Sequence, residues 1–258
     1  MSNILDLITD NKRREVEAKR ALDGEIMHSM AQERTPRGVS MSQCLAASPR
    51  GIIAEFKRRS PSRGEIHAQA DAGSIVAGYE AAGCAACSVL TDTRFFGGAI
   101  TDLATARSRV SIPLLRKDFT VSEYQIDEAA VYGADAILLI ASALSRNEIE
   151  AFTRHAHNLG LEVLLELHSR AELDKYTPEA DMVGINNRNL TTFDTDPGLS
   201  LAMAELLPQD AVKVAESGLS SLDEVLRLRE AGYRGFLIGE SFMKHDDPAA
   251  ALRNFLRL

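Results

Sequence analysis

Five stretches place ionisable residues where an apolar run gives out. The first, IIAEFKRRSPSRG (residues 52–64), begins as a buried strand, is interrupted by Glu55, and runs through Lys57, Arg58, Arg59 and Arg63 into a Ser/Pro/Gly loop. Side chains alternate along a strand, so Ile53, Glu55 and Lys57 share one face. The same alternation groups Leu115, Lys117 and Phe119 in PLLRKDF, and Leu164, Glu166 and His168 in LEVLLELH. It groups Gly184, Asn186 and Arg188 in VGINNRNL, and sets Val214 with Glu216 ahead of Ser217-Gly218 in KVAESG. If these faces turn inward at one end of a fold, two lysines, three glutamates, an asparagine and an arginine meet. Lysines and glutamates in that arrangement can exchange protons with a bound molecule. Burying so many charges for stability alone costs several kcal/mol per unpaired ion, about what a whole domain can spare.

A phosphate site is expected beside them. The loops ESGLSS and IGESFMK carry Gly218 and Gly239, which let backbone approach a ligand. Residues 240–243, beginning with Glu240, read as a short helix whose free N–H groups face an anion. Ser60 in the first loop is a third contact. Other polar residues take plainer readings. Arg58, Arg59, Arg63 and Arg116 read as solvated or salt-bridged, Asp118 as a cap or turn residue, and His155 and His157 as surface residues. His168 is either a hydrogen-bond partner of the site or structural.

The elements that must position this set repeat one grammar: amphipathic helix, glycine, apolar strand. It recurs in YEAAGCAACSVL, AAVYGADAILLI, HAHNLGLEVLLEL and LREAGYRGFLIG, with Gly83, Gly133, Gly160 and Gly232 ending the helices. Ser122/Gln125, Ser145/Glu148, Ser169/Glu172 and Ser221/Glu224 have capping-box spacing. Strands are expected at 52–56, 86–90, 113–116, 135–140, 161–166, 181–185, 211–215 and 235–238. Helices are expected at 71–82, 98–109, 122–132, 145–159, 169–176, 197–207, 221–231 and 247–256. About eight βα units predict a closed (β/α)8 TIM barrel, with active-site residues at the C-terminal ends of its strands. A doubly wound sheet shares the grammar, but no G-x-G-x-x-G follows the first strand. The whole of 1–258 reads as one domain. Residues 1–46 form an N-terminal helical extension, with helices near 3–20 and 35–46 covering the barrel's N-terminal end or flank.

Composition bounds the function. The 258 residues carry a net charge of -8, which argues against a nucleic-acid or anionic-membrane surface. The expected partner is a phosphorylated small molecule held by local cations. No run is long enough for a signal peptide or a membrane span, so the expected location is the cytoplasm. Cys84 and Cys87 form a C-x-x-C that enters a strand instead of opening a helix, so they read as core thiols. A monomer is expected; exposed apolar residues allow a dimer, but no stripe demands one.

IIAEFKRRSPSRG, SVLTDTRFFGG, PLLRKDFTVSEYQIDEAAVYGADAILLI, INNRNLTTF, VAESGL and LIGESFM occur in this order. Together they resemble the indole-3-glycerol-phosphate synthase family of tryptophan biosynthesis over nearly the whole chain. The resemblance implies a carboxy-lyase that needs no metal or organic cofactor. It would convert 1-(2-carboxyphenylamino)-1-deoxyribulose 5-phosphate to indole-3-glycerol phosphate, carbon dioxide and water. It places catalytic acids and bases at Glu55, Lys57, Lys117 and Glu166, and supporting polar residues at Asn186, Arg188, Glu216 and Ser217. Phosphate contacts fall on Ser60, Gly218, Gly239 and Glu240, and ring-walling aromatics on Phe95 and Phe119.

The residues suit that chemistry. Ring closure needs an electrophilic carbonyl, and a lysine ammonium at 117 can protonate or polarise it. The division of the remaining acid and base roles among Glu55, Lys57 and Glu166 stays open. The loop after the first strand reads as a mobile lid. The competing functions are a sugar-phosphate isomerase on a similar barrel, and a barrel that binds a phosphorylated ligand without catalysis.

Overall fold

The computed structural model describes residues 4–189 and 193–257. The middle of the INNRNLTTF block, residues 190–192, and the start of the helix expected from residue 3 lie outside the described residues.

Eight parallel strands close a barrel in the order β1-β10-β9-β8-β7-β6-β5-β4. They are β1 (Ile52–Phe56), β4 (Ala86–Leu90), β5 (Leu114–Lys117), β6 (Ala136–Ile140), β7 (Glu162–Leu167), β8 (Met182–Asn186), β9 (Val212–Glu216) and β10 (Tyr233–Ile238). Between β1 and β4 a two-stranded hairpin, β2 (Arg59–Ser60) with β3 (Gly64–Glu65), occupies the Ser/Pro loop. The fold is the predicted TIM barrel, and each barrel strand starts or ends within about two residues of its expected bounds.

Strand alternation builds two separate cores. Ile53, Leu115, Leu138, Ile140, Leu164, Val214 and Leu237 fill the barrel interior. Their neighbours, such as Ile52, Ala54, Phe56, Leu114, Leu139 and Leu165, face outward against the helices. Strands buried on both faces therefore read as continuous apolar runs. Gly83, Gly133, Gly160 and Gly232 all have positive φ and end helices as expected.

The helices are α3 (Ala72–Ala81), α4 (Thr93–Phe96), α5 (Ile100–Arg107), α6 (Glu123–Val131), α7 (Arg146–Asn158), α8 (Gly198–Ala204), α9 (Leu222–Glu230), α10 (Glu240–Met243) and α11 (Pro248–Leu256). Ser145 and Ser221 form complete capping boxes with Glu148 and Glu224. The other two expected boxes are incomplete. Gln125 accepts from Val121 N instead of the cap residue. Residues 170–175 form a 3-10 helix in which Glu172 accepts from His168 N.

The N-terminal segment departs most from expectation. Its first helix, α1, runs over Ile4–Glu33, and the second, α2, covers only Met41–Ala47. Met41 and Leu45 of α2 are fully buried and join the interior core, plugging the barrel's lower end. α1 lies against α6 instead, joined by Lys19 to Glu128 and by Tyr124 Oη donating to Asp23. It leaves Leu22, Ile26 and Met30 exposed at four-residue spacing, a stripe the sequence reading did not single out.

Candidate active site

The alternation that packs the barrel also delivers its chemistry. Above Ile53 on β1 comes Glu55, 4% exposed, and then Lys57, whose Nζ lies 2.6 Å from Glu55 Oε1. Above Leu115 on β5 comes Lys117. Its Nζ donates to Glu166 Oε2 on β7 at 2.8 Å and to Glu216 Oε2 on β9 at 2.9 Å. His168 Nε2 stands 3.1 Å from the second oxygen of Glu166, and its Nδ1 lies 3.2 Å from Ser142 Oγ. His168 therefore orients Glu166.

Two glycines make space for these carboxylates. A Cβ on Gly184 would lie 2.4 Å from Glu216 Oε1, and one on Gly239 would lie 2.3 Å from Glu55 Oε1. Both distances are shorter than any real contact, so an added methyl would make each carboxylate shift from its present place. The sequence reading gave Gly239 to an anion; its contact here is Glu55.

Burial pushes against charge throughout, and the neighbours decide the outcome. It would weaken the Lys117 cation, yet Glu166 and Glu216 outweigh it and hold the ammonium far above its ordinary value. It would raise Glu166, yet Lys117 and His168 keep that carboxyl well below the usual range. Burial and the negative charge of Glu166 push Glu216 well above its ordinary range, outweighing Lys117, which pulls that carboxyl down as well. Two carboxyls shifted in opposite directions thus flank one ammonium.

The outward residues of the same segment fix the aim of Lys117. Arg116 and Asp118 are buried: Arg116 is salt-bridged, one of its two expected readings, and Asp118 is an ion-pair partner instead of a cap or turn residue. Arg116 Nη2 reaches Glu128 at 2.6 Å and Asp118 at 3.2 Å. Asp118 also takes Thr91 Oγ1 at 2.7 Å and Lys12 of α1 at 3.1 Å. Lys12, 1% exposed, pairs as well with Asp92, the residue that caps α4. Lys117 points inward between two anchored neighbours.

These groups open into a cavity of about 470 Å3 at the C-terminal mouth. All seven catalytic candidates line it: Glu55, Lys57, Lys117, Glu166, Asn186, Glu216 and Ser217. So do Ser60, Phe119, Arg188, Gly218, Gly239 and Glu240. Phe95 does not; Phe96 takes its place, its ring 6.0 Å from that of Phe119. Successive helical residues point about 100° apart, so one-residue precision is lost in the short α4, and the Arg94 guanidinium covers Phe95 instead.

The sequence reading missed Ile4, Leu5 and Ile8, with which α1 walls the cavity. It also missed Leu138 and Ile140 of β6, which the alternation of AILLI could have revealed. On the rim of the mouth, Arg63 Nε reaches Glu240 at 2.9 Å and Arg188 Nη1 donates to Ser62 Oγ at 3.2 Å. Ser217 and Gly218 have φ of 64° and 75°. For Ser217 this left-handed conformation costs about 1–2 kcal/mol, a strain held beside the cavity.

The comparisons agree with this geometry. The family description "Indole-3-glycerol phosphate synthase" matches residues 5–255. A relative of that name from Bacteroides thetaiotaomicron is 52% identical, covering 100% of this chain and 99% of its own length. One from Koribacter versatilis is 44% identical over 99% of this chain and all of its own. One from Laribacter hongkongensis is 41% identical over 98% of each. Among solved structures, KGPDC from Streptococcus mutans superposes with a TM-score of 0.62 at 13% identity, covering 80% of this chain and 95% of that one. Thiamine phosphate pyrophosphorylase from Pyrococcus furiosus gives 0.59 at 15%, covering 84% and 96%. These two share the barrel alone. From residue 5 to residue 255 the chain belongs to the indole-3-glycerol phosphate synthase family.

Proposed function

We infer that the chain closes the indole ring. It converts 1-(2-carboxyphenylamino)-1-deoxyribulose 5-phosphate to indole-3-glycerol phosphate, releasing carbon dioxide and water. The observation that carries this reading is Lys117, held cationic between Glu166 and Glu216 at the mouth of a barrel of this family.

The aryl carbon bearing the carboxylate attacks the ketone, and negative charge grows on the carbonyl oxygen. A cation held in place before the reaction stabilises that charge without reorganisation, and Lys117 supplies it. Protonation gives a hydroxyl, and loss of carbon dioxide restores the aromatic ring. The hydroxyl then leaves as water, which needs a second acid and a base. Glu55 and Lys57 form a separate pair on the neighbouring side of the mouth, and we assign dehydration to them. Glu166 and Glu216 both accept from Lys117 Nζ and hold that ammonium in place. Asn186 and Ser217 contact the sugar portion.

Ser60, the backbone of Gly218 and Gly239, and the N–H of Glu240 hold the phosphate in this reading, with Arg188 nearby. Phe119 and Phe96 wall the anthranilate ring. Loss of the Lys117 amine leaves no cation for the first step, so Lys117→Ala abolishes carbon dioxide release and indole formation together. Lys57→Met blocks only the second step, so labelled carbon dioxide appears in a burst without indole absorbance. The chain has no tryptophan, which keeps the optical background low. Indole formation at near-normal rate by Lys117→Ala, with a native circular dichroism spectrum, would remove the assignment.

A further inference from the structure

Three helices bring together a group that the ring-closing site does not use. His28 of α1, Asp127 of α6 and His155 of α7 are far apart in sequence. Yet their ligand atoms all lie within 4.8 Å of one another. His28 Nδ1 stands 3.1 Å from one Asp127 oxygen, and His155 Nε2 stands 2.7 Å from the other. The two imidazoles are stacked, with planes 21° apart. Asp127 is 5% exposed, His155 half-buried and His28 exposed. None of the three lines the ring-closing cavity. The reading of His155 as a surface residue is corrected here: it turns inward to Asp127, while His157 on the same helix bonds Asp181.

We propose that His28, Asp127 and His155 form a binding site for a transition-metal dication of zinc type. Zinc takes imidazole nitrogen at about 2.0–2.1 Å and carboxylate oxygen at about 2.0–2.2 Å in a tetrahedron. Ligand atoms in such a site sit about 3.3 Å from one another by that geometry. The nitrogens stand 3.1 and 2.7 Å from the two carboxylate oxygens, so the ion enters by displacing these contacts as the side chains rotate apart. Two imidazoles with one carboxylate suit zinc, nickel or copper; magnesium and calcium prefer oxygen ligands throughout. Asp127 is held by burial, and Glu123 adds negative charge near His155. Exposure of His28 leaves the fourth position to water, so the ion enters from solvent. On binding, the N–H protons now shared with Asp127 pass to solvent or to the other ring nitrogen. The bound ion joins α1 to α6 and α7 on the flank of the barrel.

The test uses untagged, chelator-treated full-length protein titrated with zinc chloride by calorimetry, alongside thermal melts. One saturable equivalent is expected, with a rise in Tm that grows with zinc concentration; magnesium gives neither. His28→Ala removes an exposed ligand without disturbing the core, and it abolishes both signals while leaving turnover unchanged. His155→Gln does the same. Cys84 and Cys87, whose Sγ atoms are 3.6 Å apart, are the competing site, so Cys84→Ala is run as a control and retains the zinc equivalent. Absence of saturable zinc binding by the native protein overturns the proposal. So does zinc binding that survives His28→Ala or is lost in Cys84→Ala.

Discussion

Gly184 carries as much of the site as the acid beside it. Its missing side chain is the space that Glu216 Oε1 fills. Gly184→Ala crowds Glu216 Oε1, so the carboxyl must turn, and the bond that its other oxygen accepts from Lys117 is disturbed. The expected result is a drop in kcat of about 10²-fold or more. Little change in chemical denaturation is expected, measured by steady-state kinetics beside urea unfolding. A normal kcat in that variant would mean that Glu216 does not act through its present position. Alternation along LEVLLELH, VGINNRNL and KVAESG aimed Glu166, Asn186 and Glu216 inward before any coordinates. It could not show that Gly184 and Gly239 are cut to fit carboxylates, because that depends on which strand lies alongside. The register pairs Glu166 with Gly184 and Asn186 with Glu216, and both pairings join residues distant in the chain.

Among the elements, α1 was the least legible. The first helix was expected to end near residue 20, yet it continues through Gly24 to Glu33 because packing on α6 outweighs the roughly 1 kcal/mol a glycine costs. Nor did the sequence show that Lys12 would be buried. Lysine on an amphipathic helix reads as solvent-facing, and only tertiary structure brings Asp92 and Asp118 to it. Removing one partner of such a cluster leaves charges buried without compensation. Lys12→Met is therefore expected to cost about 3–5 kcal/mol, read as a loss of urea stability. KM is expected to rise as well, since Ile4, Leu5 and Ile8 wall the cavity from the same helix.

Acid acts on this cluster too. Burial opposes its ionisation, but Lys12 and Arg116 hold Asp118 down at about 2. A depressed carboxyl stabilises the fold above its unfolded value near 4 and loses that contribution as pH falls towards 2. The shift corresponds to about 2 kcal/mol. Asp118→Asn should therefore unfold with a shallower dependence on pH between 4 and 2 than the parent. Parallel stability curves would show that the ion cluster does not drive acid unfolding.

At the scale of the molecule, an acidic protein sets lysines and arginines beside carboxylates at one mouth. The hairpin of β2 and β3 stands at the rim of that mouth, and Arg63 and Ser62 contact Glu240 and Arg188 on other loops of the rim. The expected closure over ligand is measurable. Amide exchange across residues 58–68 should slow on binding indole-3-glycerol phosphate, while the barrel strands keep their rates. Unchanged exchange there would leave the hairpin a fixed rim. The barrel itself was legible because its grammar repeats; the hairpin was not, since two-residue strands have no pattern to read.

α2 adds a constraint on traffic. With Met41 and Leu45 filling the lower end of the barrel, the interior offers no back exit. Among the described residues, reactant and product pass through the upper mouth, where the Arg63–Glu240 contact ties two neighbouring loops of the rim. A rim that opens to pass them parts this contact. Departure of the bulky product is therefore the step at which loosening the latch would quicken the enzyme.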